Sequence, residues 1–373
     1  MSNSLKYVPV LRGRQEEIKI FRSFDFGDNI FPCLEIIKET DRLLGEKKKG
    51  GKAKSKSFEG DYIPLIREIK SKHVFVDLPV HLKAENGMKV ETLKFLRAIV
   101  EKRERRTEYM LKLTSLAPKV IPVISSYISI TGKTEITEQV NGLREHFSVL
   151  AFRTFMKSFF QDMKQIEPLL KKTDYIIMDW DNEPLDLEDG DQEDIVGHLK
   201  KLNCHIVVHR NAYHNSISNS NLKHGELVEE INNDHIDDFK KFAGISFSDY
   251  AGIKKDYIGD GGTTSPGFVY YDATKNEFYG FRYEHGGHRK GQKKPHPREF
   301  ETRIVPDVIN SPASKRMHKH LLDFLNDKNI GWVILNNIAN KTESGQSAPK
   351  FKRVGMGHYL HCMKTRISNG DFE

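Results

Sequence analysis

The chain has 373 residues and a net charge of +7, so it is long enough to bury a large core and is only modestly basic. No apolar stretch approaches the roughly 18 residues of a membrane span, and the amino terminus lacks the apolar core of a signal peptide. Its three cysteines lie far apart, without the spacing of a zinc site or a disulfide framework. We therefore expect a soluble, cytoplasmic protein with no membrane partner.

Eight short apolar runs recur along the first two thirds of the chain, each with a charged or hydroxylated residue at or just past its carboxyl end. They occupy residues 7–11, 30–35, 74–77, 120–124, 149–153, 175–179, 205–209 and 244–248. Uninterrupted apolar runs of this length are typical of strands buried on both faces of a parallel sheet. Eight of them predict an α/β fold, a (β/α)8 TIM-type barrel, whose active site lies at the carboxyl ends of the strands.

Helical patterns separate these runs. The first covers Arg14 to Phe24, and the next follows Asp61, which we predict to be its cap, with Pro64 in the first turn. The longest pattern extends from Val90 to about Leu116 and contains a charged run, residues 101–106, that is either a solvated face or an anion-binding ridge. Further helices are predicted near 134 and at 155–170, 193–202 and 222–242, the last one broken near Asn232.

The pattern changes after residue 249, so we predict a barrel core at 1–261 and a C-terminal α+β elaboration at 262–373. The elaboration begins with a hairpin of two aromatic runs, 268–271 and 277–283. A helix at 312–327, capped by Ser311, is a candidate for the eighth barrel helix, and residues 332–335 are a candidate strand. We expect the last segment to fold back onto the barrel. Two basic, glycine-containing segments, 46–57 and 284–298, are predicted to be mobile.

Three segments carry a resemblance to a known family: Tyr7-Val-Pro-Val-Leu-Arg-Gly-Arg-Gln-Glu16, Phe247-Ser-Asp-Tyr-Ala251 and Gly355-Met-Gly-His-Tyr-Leu-His361. With these motifs in this order, the chain resembles the Beta-protein family, which is found in phages and bacteria and often near mobile or anti-phage genes. The resemblance spans the whole chain. It implies a role in a conflict between phage and bacterium and supplies no reaction mechanism.

The barrel prediction brings acidic, basic and histidine side chains together at one mouth. Carboxylates at several strand ends can bind a divalent cation such as Mg²⁺ or exchange protons, and a histidine can carry a proton. No pattern names a metal. The predicted catalytic residues are Glu35, Asp77, Asp179 and His209.

Basic and hydroxyl side chains at the same mouth predict an anion site. Arginine presents a planar fork that fits phosphate oxygens, and barrels often bind phosphate after the eighth strand. The predicted anion-binding residues are Arg12, Arg14, Arg153, Arg210 and Ser248.

Two functions follow from this constellation. The first is a barrel hydrolase that acts on a phosphorylated substrate such as a nucleotide or a nucleic acid, which requires Glu35, Asp77 and Asp179 to converge within metal-bridging distance. The second is a non-catalytic binding or sensor protein that recognises a phage component or a nucleic-acid component. A purely structural interpretation also stays open, in which these charges pair with one another and close the end of the barrel.

Overall fold

The structure is a computed structural model that describes most of the chain. The described residues are 5–40, 57–82, 88–126, 136–184, 186, 188–214, 216–238, 245–255, 267–283 and 298–372. The two basic segments predicted to be mobile lie outside these ranges except at their ends. The chain forms two compact units. The first comprises Met1–Arg210, Asp238–Asp249 and Tyr257–Asp260, and the second comprises Asn211–Asp237, Tyr250–Asp256 and Gly261–Glu373.

Eight parallel strands in the first unit close into a barrel, as the apolar runs predict. They are β1 (Tyr7–Arg12), β3 (Cys33–Glu35), β5 (Val74–Asp77), β6 (Val120–Ser125), β7 (Ala151–Phe155), β8 (Tyr175–Asp179), β9 (His205–His209) and β11 (Ile245–Asp249). Around the barrel the order is β1-β11-β9-β8-β7-β6-β5-β3. Every run contributes one strand, and the (β/α)8 fold is confirmed. Two shorter strands, β2 (Asp25–Gly27) and β4 (Lys70–Ser71), pair with each other beside it.

Helices follow most barrel strands along the chain. They are α1 (Gln15–Ser23), α2 (Phe58–Glu68), α3 (Val90–Glu101), α4 (Arg103–Leu111), α5 (Thr137–Arg144), α6 (Phe159–Ile166) and α7 (Gly190–Leu199). Within the described ranges, no helix has the length and hydropathy that crossing a membrane requires.

Two local predictions for these helices are wrong. Ser57, not Asp61, caps α2, because its side chain accepts a hydrogen bond from the Gly60 amide and the helix already begins at Phe58. The predicted long helix after residue 90 is two helices, since Lys102 between them has an extended backbone. Because the helix begins again after this break, the directions in which the following arginine side chains point are set by α4 and not by α3.

The second unit combines a three-stranded antiparallel sheet with helices. The strands are β10 (Glu226–Leu227), β12 (Gly267–Asp272) and β13 (Glu277–Arg282), and the predicted hairpin is β12 and β13. The helices are α8 (His235–Asp238), α9 (Val305–Asn310), α10 (Pro312–Lys319), α11 (Ile330–Ala339) and α12 (Ala348–Ser368). Ser311 caps α10 as predicted, by accepting a hydrogen bond from the Ser314 amide.

Two element predictions in this unit are wrong. Residues 332–335 lie in α11, whose first turn is capped by the Asn329 side chain, because a short apolar run suits a buried helix as well as a strand. The predicted helix at 222–242 does not form over residues 222–234, which contain turns and the short strand β10, because the backbone near Val228 pairs with β13. Among the described residues of this range, α8 alone is helical. Long-range pairing here overrides a helical pattern.

A close approach between α11 and α12 gives the first testable prediction. A methyl group added at Gly331 would meet the Val354 carbonyl oxygen and lie 2.7 Å from the His358 Cβ, so Gly331→Ala should lower the free energy of unfolding by about 1 to 3 kcal/mol or more. Gly197→Ala in α7 is the control, since a methyl group there meets nothing within 4 Å and should stabilise by roughly 0.5 to 1 kcal/mol. Urea unfolding of both variants measures the contrast. Equal stability of the two variants would contradict the close packing.

Candidate active site

Three predicted site residues stand side by side at the carboxyl ends of adjacent strands. Arg12 pairs in register with Glu35, and Glu35 pairs with Asp77, each as the last residue of its strand. Residues of equal register lie on the same face of a sheet. All three side chains are buried.

Arg153 of β7 connects this row to the opposite side of the barrel. Its Nη1 donates to Glu35 Oε1 at 2.9 Å and to Asp77 Oδ2 at 2.8 Å. Its Nε and Nη2 donate to Asp179 Oδ2 at 3.0 and 2.6 Å. Because β5 and β6 separate β7 from β3, the guanidinium reaches through the barrel interior. The three carboxylates are therefore held around an arginine. We call these five residues, Arg12, Glu35, Asp77, Arg153 and Asp179, the Arg153 cluster.

Glu35 is the best compensated carboxylate of the Arg153 cluster. Arg12 Nε donates to its second oxygen, Oε2, at 3.0 Å, so each oxygen accepts from a different arginine. Burial opposes ionisation of Glu35, but the charges of Arg12 and Arg153 outweigh it and hold the pKa below its ordinary value. Glu35 is therefore ionised at neutral pH.

The negative charge of an ionised Asp77 is compensated less well than that of Glu35. Its Oδ2 accepts from Arg153, whereas its buried Oδ1 has no hydrogen-bond partner among the residues that the structure describes. Burial raises the pKa of Asp77 to about 6, and the Glu35 charge adds to this, against the attraction of Arg153. Two carboxyl groups on one guanidinium nitrogen thus have pKa values shifted in opposite directions, an arrangement typical of acid and base pairs.

His81, in the loop after β5, lies beside this pair and was not predicted. Its Nε2 lies 3.5 Å from Glu35 Oε1, and one ligand atom each from Glu35, Asp77 and His81 lies within 4.8 Å of the others. A small cation would fit these distances. However, Arg153 Nη1 already contacts both carboxylates, so the guanidinium is the cation they hold in this arrangement. Mg²⁺ binding stays a prediction that would require Arg153 to move.

Asp179 is satisfied at both oxygens. While Oδ2 accepts from Arg153, Oδ1 accepts from the backbone amide of Asp181 at 2.8 Å, and Asp181 has a positive φ of 53°. This is the hydrogen bonding of a tight turn after a strand. Asp179 therefore anchors Arg153 to the loop after β8.

His209 and Ser248 form a separate pair on β9 and β11. Ser248 Oγ donates its single hydrogen to the Val8 carbonyl at 2.6 Å, so its contact with His209 Nδ1, at 2.8 Å, requires Nδ1 to be the donor. A neutral His209 then carries its hydrogen on Nδ1 and a lone pair on Nε2. This tautomer suits a proton acceptor. The described hydrogen bonds of Ser248 Oγ are those with His209 Nδ1 and the Val8 carbonyl.

The remaining predicted anion-binding residues follow the carboxyl ends of β1 and β9. Arg14 precedes α1 and is half-buried. Its pKa lies below the ordinary value because burial and the charge of Arg12 lower it by more than the charge of Glu17 raises it. Arg210 follows β9 and donates from Nε to the Glu183 carbonyl at 2.9 Å.

Two further buried arginines, Arg103 and Arg106, come from the charged run for which the sequence left two interpretations open. Arg106 Nη1 donates to the Ser125 carbonyl, at the end of β6, at 2.7 Å. Both side chains are buried although their neighbours Glu104 and Arg105 are exposed. Their three-residue spacing, which places them on one helix face, was the available signal.

The fold and the site together define the class of protein. It is a parallel (β/α)8 barrel with a buried network of charged side chains at the carboxyl ends of its strands. The chain belongs to the Beta protein family, whose model matches residues 7–364, as the three motifs predict. No curated protein and no solved structure matches the chain.

The hydrogen bonds at Glu35 and Asp77 predict that neutral substitutions at the two positions lower the stability by different amounts. Glu35→Gln places an amide NH2 against an arginine donor and removes the charge that compensates Arg12, so it should cost about 3 to 5 kcal/mol. Asp77→Asn keeps an oxygen for Arg153 and places its NH2 where Oδ1 has no described partner, so the cost should be small. Urea unfolding at neutral pH compares them with Glu68→Gln, a surface control. A strongly destabilised Asp77→Asn would refute this assignment.

The raised pKa of Asp77 also predicts how stability depends on pH. A carboxyl group that binds its proton more tightly when folded stabilises the protein below its unfolded pKa, and this contribution is lost as pH rises through about 6. Among the described residues, the titratable and charged groups beside Asp77 include Arg153, Glu35, Arg106, His81 and Cys33. Relative to wild type, Asp77→Asn should gain stability as pH rises from about 4 to 8, by up to about 3 kcal/mol. A difference in unfolding free energy that stays constant over this range would contradict the shift.

Proposed function

We propose that this protein is a cytoplasmic barrel hydrolase that acts on a phosphorylated substrate, such as a nucleotide or a nucleic acid, in a conflict between phage and bacterium. The observation that supports a catalytic role is the state of Asp77. This fully buried carboxyl group stands at the end of a barrel strand and is bound by Arg153 through only one oxygen. Structural buried carboxylates normally have both oxygens satisfied, as Glu35 and Asp179 have.

In this proposal Asp77 is the general acid and base. With a pKa of about 6 it exists in both protonation states near neutral pH. Water attacks phosphorus, the bond from phosphorus to the leaving oxygen breaks, and that oxygen takes the proton of Asp77. The proton released by the attacking water then returns to the Asp77 carboxylate.

The other residues of the Arg153 cluster hold Asp77 in place. Arg153 fixes one oxygen of Asp77, and Asp179 and Glu35 fix Arg153 from two sides. Since the nitrogens of Arg153 donate to carboxylates, we assign it a positioning role in addition to its predicted role in anion binding. His209, with its lone pair on Nε2, is a second candidate for proton transfer.

The second candidate function is a non-catalytic binding or sensor protein that recognises a phage component or a nucleic-acid component. The observation in its favour is that Arg153 binds all three carboxylates at once, as a structural network would. A binding protein of this kind needs a ligand but no acid or base.

The purified protein, assayed for phosphate release from nucleotides and from single- and double-stranded oligonucleotides, distinguishes the two functions. If Asp77 is the acid, Asp77→Asn should lose about 10² to 10⁴-fold in rate while keeping its unfolding midpoint. Glu68→Gln should keep the wild-type rate. The same assay with EDTA tests whether Mg²⁺ takes part.

Wild-type activity in Asp77→Asn would remove the catalytic assignment. Binding of a substrate without any phosphate release would favour the second candidate. Plating phage on cells that express wild type or Asp77→Asn tests the biological setting, since a catalytic role predicts that only the wild-type protein changes plaque numbers.

A further inference from the structure

The charged run at the start of α4 divides between solvent and the protein interior. Glu101, Lys102, Glu104 and Arg105 are exposed, whereas Arg103 and Arg106 are 7% and 3% exposed. The extended backbone at Lys102 ends α3, so α4 begins in a new phase that turns the two arginines inward. A solvated charged face would not bury two like charges on one side of a helix.

The guanidinium of Arg106 lies at the same end of the barrel as Asp77. Its hydrogen bond to the Ser125 carbonyl places it at the carboxyl end of β6, and β6 pairs directly with β5, the strand that ends at Asp77. Arg106 and Asp77 are close enough for each charge to shift the pKa of the other. They are therefore neighbours at the barrel mouth.

Arg106 lacks the compensation that Arg12 and Arg153 have. Its described hydrogen bond goes to a neutral carbonyl, and its buried Nε has no partner within the described part of the chain. Burial and the positive charge of Arg103 together lower its pKa to about 9, against the weaker attraction of Asp77 and Glu104. A buried charge without a bonded counter-charge destabilises the folded protein, so an anion bound here would be stabilising.

We propose that Arg106 is the subsite that binds a phosphoryl group of the substrate beside Asp77. With Nη1 directed to Ser125, the edge formed by Nε and Nη2 can donate two parallel hydrogen bonds to two phosphate oxygens. The role of this subsite in catalysis rests on the proposed hydrolase function, but the binding of phosphate does not. The two ideas can therefore fail separately.

Inorganic phosphate is the probe, titrated into the full-length protein by calorimetry and compared with chloride at equal ionic strength. Wild type should bind phosphate, and Arg106→Gln should weaken binding at least about tenfold, because a charge-assisted pair of hydrogen bonds is lost. Arg106→Lys keeps the charge but loses the fork, so it should bind with intermediate affinity. Arg105→Gln, an exposed position on the same helix, is the matched control and should bind like wild type.

Stability separates a binding role from a structural one. Arg106→Gln removes an uncompensated buried charge, so its urea midpoint should equal or exceed that of wild type, whereas a structural arginine would lower it. Asp77→Asn should bind phosphate at least as tightly as wild type, because a neighbouring negative charge is gone.

The proposal is overturned if wild type shows no phosphate binding, or if Arg106→Gln binds as tightly as wild type. Phosphate binding that depends on Arg106 supports the subsite even if no substrate is hydrolysed. In that outcome the hydrolase proposal alone fails.

Discussion

The pairing of one buried guanidinium with three carboxylates is the interaction on which the carboxyl end of the barrel depends. Arg153 binds Glu35, Asp77 and Asp179, which come from three other strands. Ions in a barrel interior lose their hydration, so each must have a partner at hydrogen-bond distance. Because these partners come from both sides of the barrel, their bonds restrict where the ends of β3, β5, β7 and β8 can lie.

The same pairing makes the two neighbouring carboxyl groups chemically different. Glu35 has an arginine on each oxygen, and its charge is stabilised despite complete burial. Asp77 shares Arg153 with two other carboxylates, and within the described ranges no second arginine is bonded to it, so burial prevails and its pKa rises. The difference comes from the number of cations per carboxylate. An acid and a neighbouring ionised carboxylate can thus arise from two similar strand ends.

The buried arginines also differ in whether a carboxylate bonded to them compensates their positive charge. Arg12 and Arg153 donate to carboxylates, and their bonds are those of a structural ion network. Arg106 donates to a main-chain carbonyl, and its Nε has no partner among the described residues. A protein gains no stability from an arginine held in this way. This energetic cost is understandable if the Arg106 guanidinium has a ligand, which is why we place the phosphoryl subsite there.

The sequence alone determined the barrel and the row of residues at its mouth. Strands buried on both faces leave continuous apolar runs, and the parallel arrangement of those runs brings Arg12, Glu35, Asp77, Arg153 and Asp179 to one end. Only the tertiary structure decided which of these groups pair. Arg153 and Glu35 are 118 residues apart, and their bond depends on interior distances that no local pattern encodes.

The errors in the sequence interpretation have the same physical origin. Residues 332–335 are helical and residues around Val228 are extended, because the packing and pairing of distant segments outweighed local preference. The three-residue spacing of Arg103 and Arg106 indicated a shared helix face, but the burial of that face depends on the break at Lys102 and on the strand end that the Arg106 guanidinium reaches. Sequence periodicity reports which face of an element is buried. The distances between elements then decide the charge state and the partners of each buried group.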